Sequence, residues 1–282
     1  MKNKTCFIVC GATAVGKTSY AVGLAKKYDT QIISADSRQC YAELNIGVAK
    51  PSEEQLNSVH HYFINSHSIH DEVNVKVFEQ YALAAVNKIF ETNDFAVMAG
   101  GTGLYIKAFC EGLDDVPEVN NTIRKEIIEN YKTKGLQWLQ EETKEKDPAY
   151  FSFGETGNPQ RLMRALEVKL STGNSILDFQ SGKKTEREFA IKMINLEIPR
   201  SDLYKRINER VDEMMQHGLL KEAEDLYSFR RLNALQTVGY KELFDYMDAH
   251  IPLDEAIEKI KKNTRHFAKR QITWFKAMHI PL

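Results

Sequence analysis

Thr5 to Thr18 reads TCFIVCGATAVGKT, a short apolar run that breaks at Gly11 into a loop ending on Gly16, Lys17 and Thr18. Gly11, Ala12, Thr13, Ala14, Val15, Gly16, Lys17 and Thr18 together match GxxxxGK[ST] at every fixed position. Its context predicts a strand before the loop and a helix after it. Ala21, Leu24, Ala25 and Tyr28 fall at i, i+3, i+4 and i+7, an apolar helix face. A loop of this kind curls so that successive backbone N–H groups point at one anion, and the following helix adds its positive end. Lys17 would neutralise phosphate oxygens, and the Thr18 hydroxyl would complete a Mg²⁺ shell. The loop therefore predicts a di- or triphosphate ligand.

Outward from the loop the alternation continues. Gln31 to Ala35 reads as a second strand ending at Asp36, Val77, Tyr81, Ala85 and Ile89 mark another helix, and Phe95 to Ala99 is a third strand. Gly100-Gly101-Thr102-Gly103 turns that strand into a helix near Leu104. Strand–helix alternation of this kind predicts an α/β fold with a parallel sheet, its ligands beyond the carboxyl ends of the strands. Phe189 to Ile198 alternates like a returning strand, and the chain beyond Arg200 reads as helices. Between them, after the polar stretch LDDVPEVNN (Leu113 to Asn121), the pattern is helical as far as about Ser181. The expected organisation is a P-loop core from 1–114 and 189–282 and an inserted helical domain at 115–188.

Composition excludes several classes. The 282 residues are 43% apolar and 27% charged, an ordinary globular mixture. Lys and Arg number 38 against 39 Asp and Glu, for a net charge of −1, so no basic coat covers the whole chain. No apolar run is long enough to span a membrane, and Cys6 to Cys10 is too short for a secretory core. Four cysteines without a CxxC pair fit reduced thiols in a cytoplasmic protein.

Asp36, in Asp36-Ser37-Arg38-Gln39, lies at the phosphate-loop edge as a metal ligand, a general base or a helix N-cap. No apolar strand ends in a Walker B carboxylate, which favours a transferase over a motor or switch NTPase. GVAKP (Gly47 to Pro51) and His60-His61 are weaker signals, the histidines lacking companion ligands. Pro159-Gln160-Arg161-Leu162-Met163-Arg164 opens a helix carrying two basic residues. Near the end, Lys259, Lys261, Lys262, Arg265, Lys269, Arg270 and Lys276 share one half of a helix, while Ile260, Phe267, Trp274, Phe275 and Met278 form a packing half. The basic half is either a grip for a phosphate backbone or a solvated face.

GATAVGKT, DSRQCY, GVAKP, GGTGLY, NPQRLMRALEV, RINERVDEM, TVGYKE and AKRQITWF, in this order over nearly the whole chain, resemble the motif set of bacterial tRNA dimethylallyltransferases. The resemblance implies transfer of a dimethylallyl group from dimethylallyl diphosphate to the exocyclic amine of the adenosine at tRNA position 37, beside the anticodon, in tRNAs reading codons that begin with uridine. It implies a P-loop core whose insertion contacts the tRNA anticodon arm, with Mg²⁺ as cofactor. It gives the loop a prenyl diphosphate as cargo and leaves ATP binding open. Asp36 resembles the family's general base, Lys17 the stabiliser of the leaving diphosphate, and Thr102 a contact to the target nucleotide. Ser37, Arg38, Gln39, Arg124 and the segment Gln160, Arg161, Leu162, Met163, Arg164 resemble tRNA contacts, and Arg206 and Arg210 resemble diphosphate ligands without a ranking. Ala12 stands where the family often has Pro, and Asn158 replaces a frequent Asp. No membrane association is expected, and a monomer is. The competing readings are a small-molecule or nucleoside kinase, prenyl transfer to free adenine nucleotides, and a nucleotide-gated RNA-binding protein without chemistry.

Overall fold

The computed structural model describes residues 4–278, and the chain divides into two compact units, one of which is the insertion Leu113–Thr185. The larger unit begins with β1 (Thr5–Gly11), α1 (Lys17–Lys27), β2 (Ile32–Ala35), α2 (Glu53–Ser58), β3 (His61–Tyr62), α3 (Val75–Thr92), β4 (Phe95–Gly100) and α4 (Gly103–Glu111). The insertion holds α5 (Asn121–Lys146), α6 (Pro148–Phe153) and α7 (Pro159–Thr172), and α5 breaks its helical dihedrals at Gly135. The chain then returns as β5 (Ala190–Leu196), α8 (Arg200–Gln216), α9 (Leu219–Leu226), α10 (Tyr240–Met247) and α11 (Leu253–Ala277).

The five strands form one parallel sheet in the order β3-β2-β4-β1-β5. Side chains alternate across a strand, so Ile8, Ile33 and Met98 pack into one core layer while Val9, Ile32 and Val97 join Ala21, Val22 and Ala25 of α1 in the other. Helices thus cover both faces, as an all-parallel sheet requires. β5 is an edge strand, and none of its residues is fully buried. The buried side of α3 is Phe78, Ala82, Ala85, Val86, Ile89 and Phe90, so of the expected Val77, Tyr81, Ala85 and Ile89 the last two are buried, Tyr81 packs partly buried against the core, and Val77 is only partly covered. Among the described residues no helix is long and apolar enough to cross a membrane, and all four cysteines are buried free thiols.

The insertion has its own core, in which Ile127, Leu139, Tyr150, Leu162, Met163, Ala165 and Leu166 are buried. Its edges fall a few residues before those expected from composition. Asn158 caps α7, accepting hydrogen bonds from Gln160 N at 3.0 Å and Arg161 N at 3.4 Å. An amide oxygen does this as well as a carboxylate, so the departure from Asp leaves the helix start intact.

β2 and β4 meet closely at their carboxyl ends, where Ala35 pairs with Gly100. A Cβ built on Gly100 would lie 2.2 Å from the Ala35 carbonyl oxygen, a backbone atom that cannot swing away. Gly100→Ala should therefore lower stability by about 1–3 kcal/mol through overpacking. Gly23→Ala, on the exposed side of α1 with no atom within 4 Å, should hold or raise it. Urea unfolding of the two variants checks the contrast, and equal midpoints would refute the tight approach.

Candidate active site

All three predicted loops arrive at the carboxyl edge of the sheet because β1, β2 and β4 are adjacent and parallel. They border a cleft of about 1040 Å³ whose lining comes entirely from the larger unit. Thr13, Ala14, Gly16, Lys17 and Thr18 form its floor, with Asp36 and Gln39 on one side and Arg210 and Gln271 on another. Gly11, Ala12 and Val15 are buried behind the loop, with Ala12 and Val15 packed against Leu203, Ile207 and Ala268. Ala14 at φ 64° and Gly16 at φ 105° supply the left-handed turns by which such a loop folds its N–H groups to a concave side.

Lys17 Nζ donates to the carbonyl oxygens of Ala12 at 2.7 Å and Gly11 at 3.1 Å, so the ammonium is held within the loop. Burial lowers its pKa to about 8; Asp36 opposes that shift and Arg210 adds to it. Lys50, on the cleft wall, is also lowered to about 8 by burial, against the pull of Glu222. Its Nζ donates to Tyr41 O at 2.7 Å and to the side-chain oxygens of Asn45 and Asn65.

Asp36 Oδ1 accepts from the backbone N–H groups of Arg38 (2.9 Å) and Gln39 (3.3 Å), which closes the 36–39 turn. Its Oδ2 makes no hydrogen bond among the described residues, and the residue lines the cleft. The N-cap-like and chemical readings of Asp36 thus belong to its two oxygens separately. Thr102 Oγ1 accepts from Ser37 N at 3.1 Å, and Thr102 N donates to Ala35 O at 3.2 Å. Thr102, Ser37 and Arg38 are partly buried and do not line the cleft, so Thr102 sits as the fastener of the Asp36 turn. Gln39 reaches the other way, its Nε2 donating to Val48 O and Ala49 O at 3.3 and 3.0 Å.

The wall from 45 to 50 is held from the far side of the chain. Glu222 of α9 accepts from the N–H groups of Asn45, Ile46 and Gly47 at 3.1, 2.8 and 2.9 Å, and from the Tyr240 hydroxyl at 2.6 Å. The structure also separates the two α8 arginines: Arg210 is partly buried in the cleft wall, whereas Arg206 is exposed and outside the lining. Phe267, expected to pack, is 40% exposed and lines the cleft.

Gln271 was invisible to spacing arguments, yet it ties the site together. Its Oε1 accepts from Thr13 N at 2.8 Å and its Nε2 donates to Gly101 O at 2.8 Å, joining the phosphate loop to the β4–α4 turn. A Cβ on Gly101 would come within 2.2 Å of that Nε2, so a side chain there would displace the amide.

In the insertion, Gln160, Arg161 and Arg124 are exposed and Arg164 is half-buried, with Arg124 and Arg164 beside the buried Glu167. Leu162 and Met163 are core residues, 0% and 6% exposed, so their side chains cannot reach an RNA. Packing on Ile127 and Leu139 claims them, and contact from this segment is left to Gln160, Arg161 and Arg164.

No three His, Cys, Asp or Glu side chains among the described residues group as a metal cage. The Thr18 hydroxyl in the cleft fits the other mode, in which Mg²⁺ takes few protein ligands and shares phosphate oxygens and water.

A glycine loop running from strand to helix, with a partly buried lysine and a carboxylate lining the same cleft, defines a P-loop protein that handles a phosphorylated ligand. The family model described as IPP transferase matches residues 39–278. A tRNA dimethylallyltransferase of Flavobacterium johnsoniae is 46% identical over 95% of this chain and 89% of its own length. Among solved structures, the tRNA isopentenylpyrophosphate transferase of Bacillus halodurans aligns over 98% of this chain and 88% of its own, at 35% identity and TM-score 0.70. A eukaryotic dimethylallyltransferase acting on tRNA aligns over 99% of this chain and 71% of its own, at 25% identity and TM-score 0.81. The chain belongs to the IPP transferase family.

Two outcomes follow from this geometry. In the free protein Lys17 is charged below pH about 8 and neutral above it, while a bound polyanion favours the charged form. Pyrophosphate affinity should therefore fall relative to a Lys17→Arg variant as pH rises from 7 to 9.5, by up to about tenfold per unit above 8. Calorimetry in two buffers should register proton uptake above pH 8, and a constant affinity ratio would contradict the assignment. Gln271→Leu leaves Thr13 N–H and Gly101 C=O without partners, at about 1–3 kcal/mol each. The expected result is a lower unfolding midpoint together with weaker pyrophosphate binding.

Proposed function

We propose that this chain is a tRNA-modifying prenyltransferase that moves the dimethylallyl group of dimethylallyl diphosphate onto the exocyclic amine of the adenosine at tRNA position 37, releasing diphosphate. The observation that carries the reading is the shared cleft: a phosphate loop and a carboxylate oxygen that has no hydrogen bond among the described residues line one space in a member of this family. The amine nitrogen attacks the allylic carbon, the carbon–oxygen bond breaks toward diphosphate, and the N–H proton passes to Asp36 Oδ2. Adenine amines are poor nucleophiles because the lone pair is delocalised, so removing that proton as the bond forms lowers the barrier.

Lys17 and Arg210 absorb the charge that grows on the departing diphosphate, in a site dry enough to push the Lys17 pKa down. When Mg²⁺ is bound, the Thr18 hydroxyl and the diphosphate oxygens would hold it, and it would neutralise further leaving-group charge. Ile46, Val48, Leu56, Met214 and Phe267 give the cleft an apolar wall for the prenyl chain. Gln160, Arg161, Arg164 and Arg124 would hold the anticodon arm, and the work would be done in the cytoplasm.

The direct test incubates labelled dimethylallyl diphosphate with unmodified tRNA and Mg²⁺, against ATP and free AMP as alternative substrates. Phosphoryl transfer from ATP without prenyl transfer would make it a kinase, and labelling of AMP alone would make it a nucleotide prenyltransferase. Asp36→Asn keeps the turn-closing oxygen and removes the base. Its single-turnover rate should fall by about 10²–10⁴-fold, with donor and tRNA dissociation constants little changed. A normal rate in that variant would remove Asp36 from the chemistry.

A further inference from the structure

Phe153, the last residue of α6, is 85% exposed, far beyond any other large apolar side chain among the described residues; the next, Leu104, is 48% exposed. Leaving a phenylalanine in water forfeits the stabilisation its burial would give, and the segment that presents it is firmly built. Asp147 is buried, its Oδ1 accepting from Tyr150 N at 3.0 Å and its Oδ2 from Ser175 Oγ at 2.8 Å, which caps the start of the short helix and ties it to Ser175. Beside the ring lies a hollow of about 440 Å³ within the insertion. Tyr150 and Phe153 give it aromatic surface, and Gln160, Arg161, Arg164 and Gln180 give it polar edges.

We infer that this hollow binds an unstacked nucleobase of single-stranded RNA, with Phe153 as the stacking platform. The inference rests on the RNA reading of the preceding subsection and adds a site and a ligand class to it. The base concerned is not the one that reacts, because the reactive adenosine has to occupy the phosphate cleft of the larger unit. Three features of the hollow suit a base. An aromatic face accepts any base plane, and the amides of Gln160 and Gln180 offer donors and acceptors to a base edge. The two guanidiniums supply the charge a flanking phosphate needs. Arg161 is paired only with the exposed Glu155, a contact that phosphate oxygens can replace. Arg164 is paired with Glu167, which is buried and so leaves the outer side of the guanidinium to a ligand.

Stacking and charge have different signatures, and the test uses both. The probe is an anticodon stem-loop hairpin, unlabelled for affinity and with 2-aminopurine placed at each loop position in turn for fluorescence. Phe153→Ala in the full chain should weaken hairpin binding about 5- to 100-fold. The slope of affinity against salt should stay at its wild-type value, because no phosphate contact is lost. Phe153→Trp should restore affinity. In the wild type, one 2-aminopurine position should be quenched on binding, and Phe153→Ala should abolish that quenching. The thermal midpoint and pyrophosphate affinity should not move, because the ring is outside every core. Wild-type affinity and unchanged fluorescence in Phe153→Ala would overturn the base site while leaving the RNA reading standing. A wild-type chain that fails to bind the hairpin at all would overturn both.

Discussion

The Gln271 carboxamide is the contact on which the geometry of the cleft depends. A primary amide carries an acceptor and a donor on one planar group, so it serves Thr13 N–H and Gly101 C=O at once, whereas a carboxylate has no donor and an aliphatic chain has neither group. Being buried, the amide cannot trade either bond for water, so losing one partner costs the full desolvation of the other. The bridge fixes the phosphate loop relative to the turn that begins α4, and that turn in turn holds the Asp36 loop through Thr102 and Ser37. A residue of α11 thus ties together the loops that carry the cation and the carboxylate.

The cleft gathers cations that burial disfavours. Lys17 and Lys50 both have pKa values lowered to about 8 by burial, and Lys17 spends its hydrogen bonds on carbonyl oxygens of its own loop. Carbonyls are weak partners for a cation beside the oxygens of a diphosphate. A ligand carrying those oxygens restores the charge that burial discourages, so part of its binding energy comes from relieving the free protein. The same logic suits a leaving group: stabilisation grows as negative charge localises on the departing oxygen.

Much of this was readable in the chain, and the limits have physical causes. The phosphate loop, the strand ends at Asp36 and Gly100, and the returning edge strand were legible because each is a local pattern with a mechanism. The face of α3 was read correctly at Ala85 and Ile89 but missed Phe78, Ala82, Val86 and Phe90, because the buried stripe is wider than the single i, i+4 row that was read. Phe267 was assigned to packing because periodicity marks apolar residues without showing whether a neighbour or a cleft faces them. Gln271 stands inside the AKRQITWF motif, but its role, like that of Glu222, was illegible for a different reason. Each acts through hydrogen bonds to backbone groups more than a hundred residues away, and no backbone amide has a letter in the sequence.

NPQRLMRALEV shows why a contiguous motif is not a contiguous surface. Asn158 caps the helix; Leu162, Met163, Ala165, Leu166 and Val168 face the core; Gln160, Arg161 and Arg164 face outward. Glu167 belongs to neither set. It is 5% exposed, and burial raises its pKa while Arg124 and Arg164 pull it down. Its two oxygens lie 3.8 Å from Arg124 Nε and 3.7 Å from Arg164 Nη1. One buried carboxylate therefore gathers two arginines from different helices and limits where their guanidiniums can go. Restricting long side chains in advance lowers the entropy lost when they meet a ligand. A residue that no RNA can touch thereby shapes how the residues around it meet one.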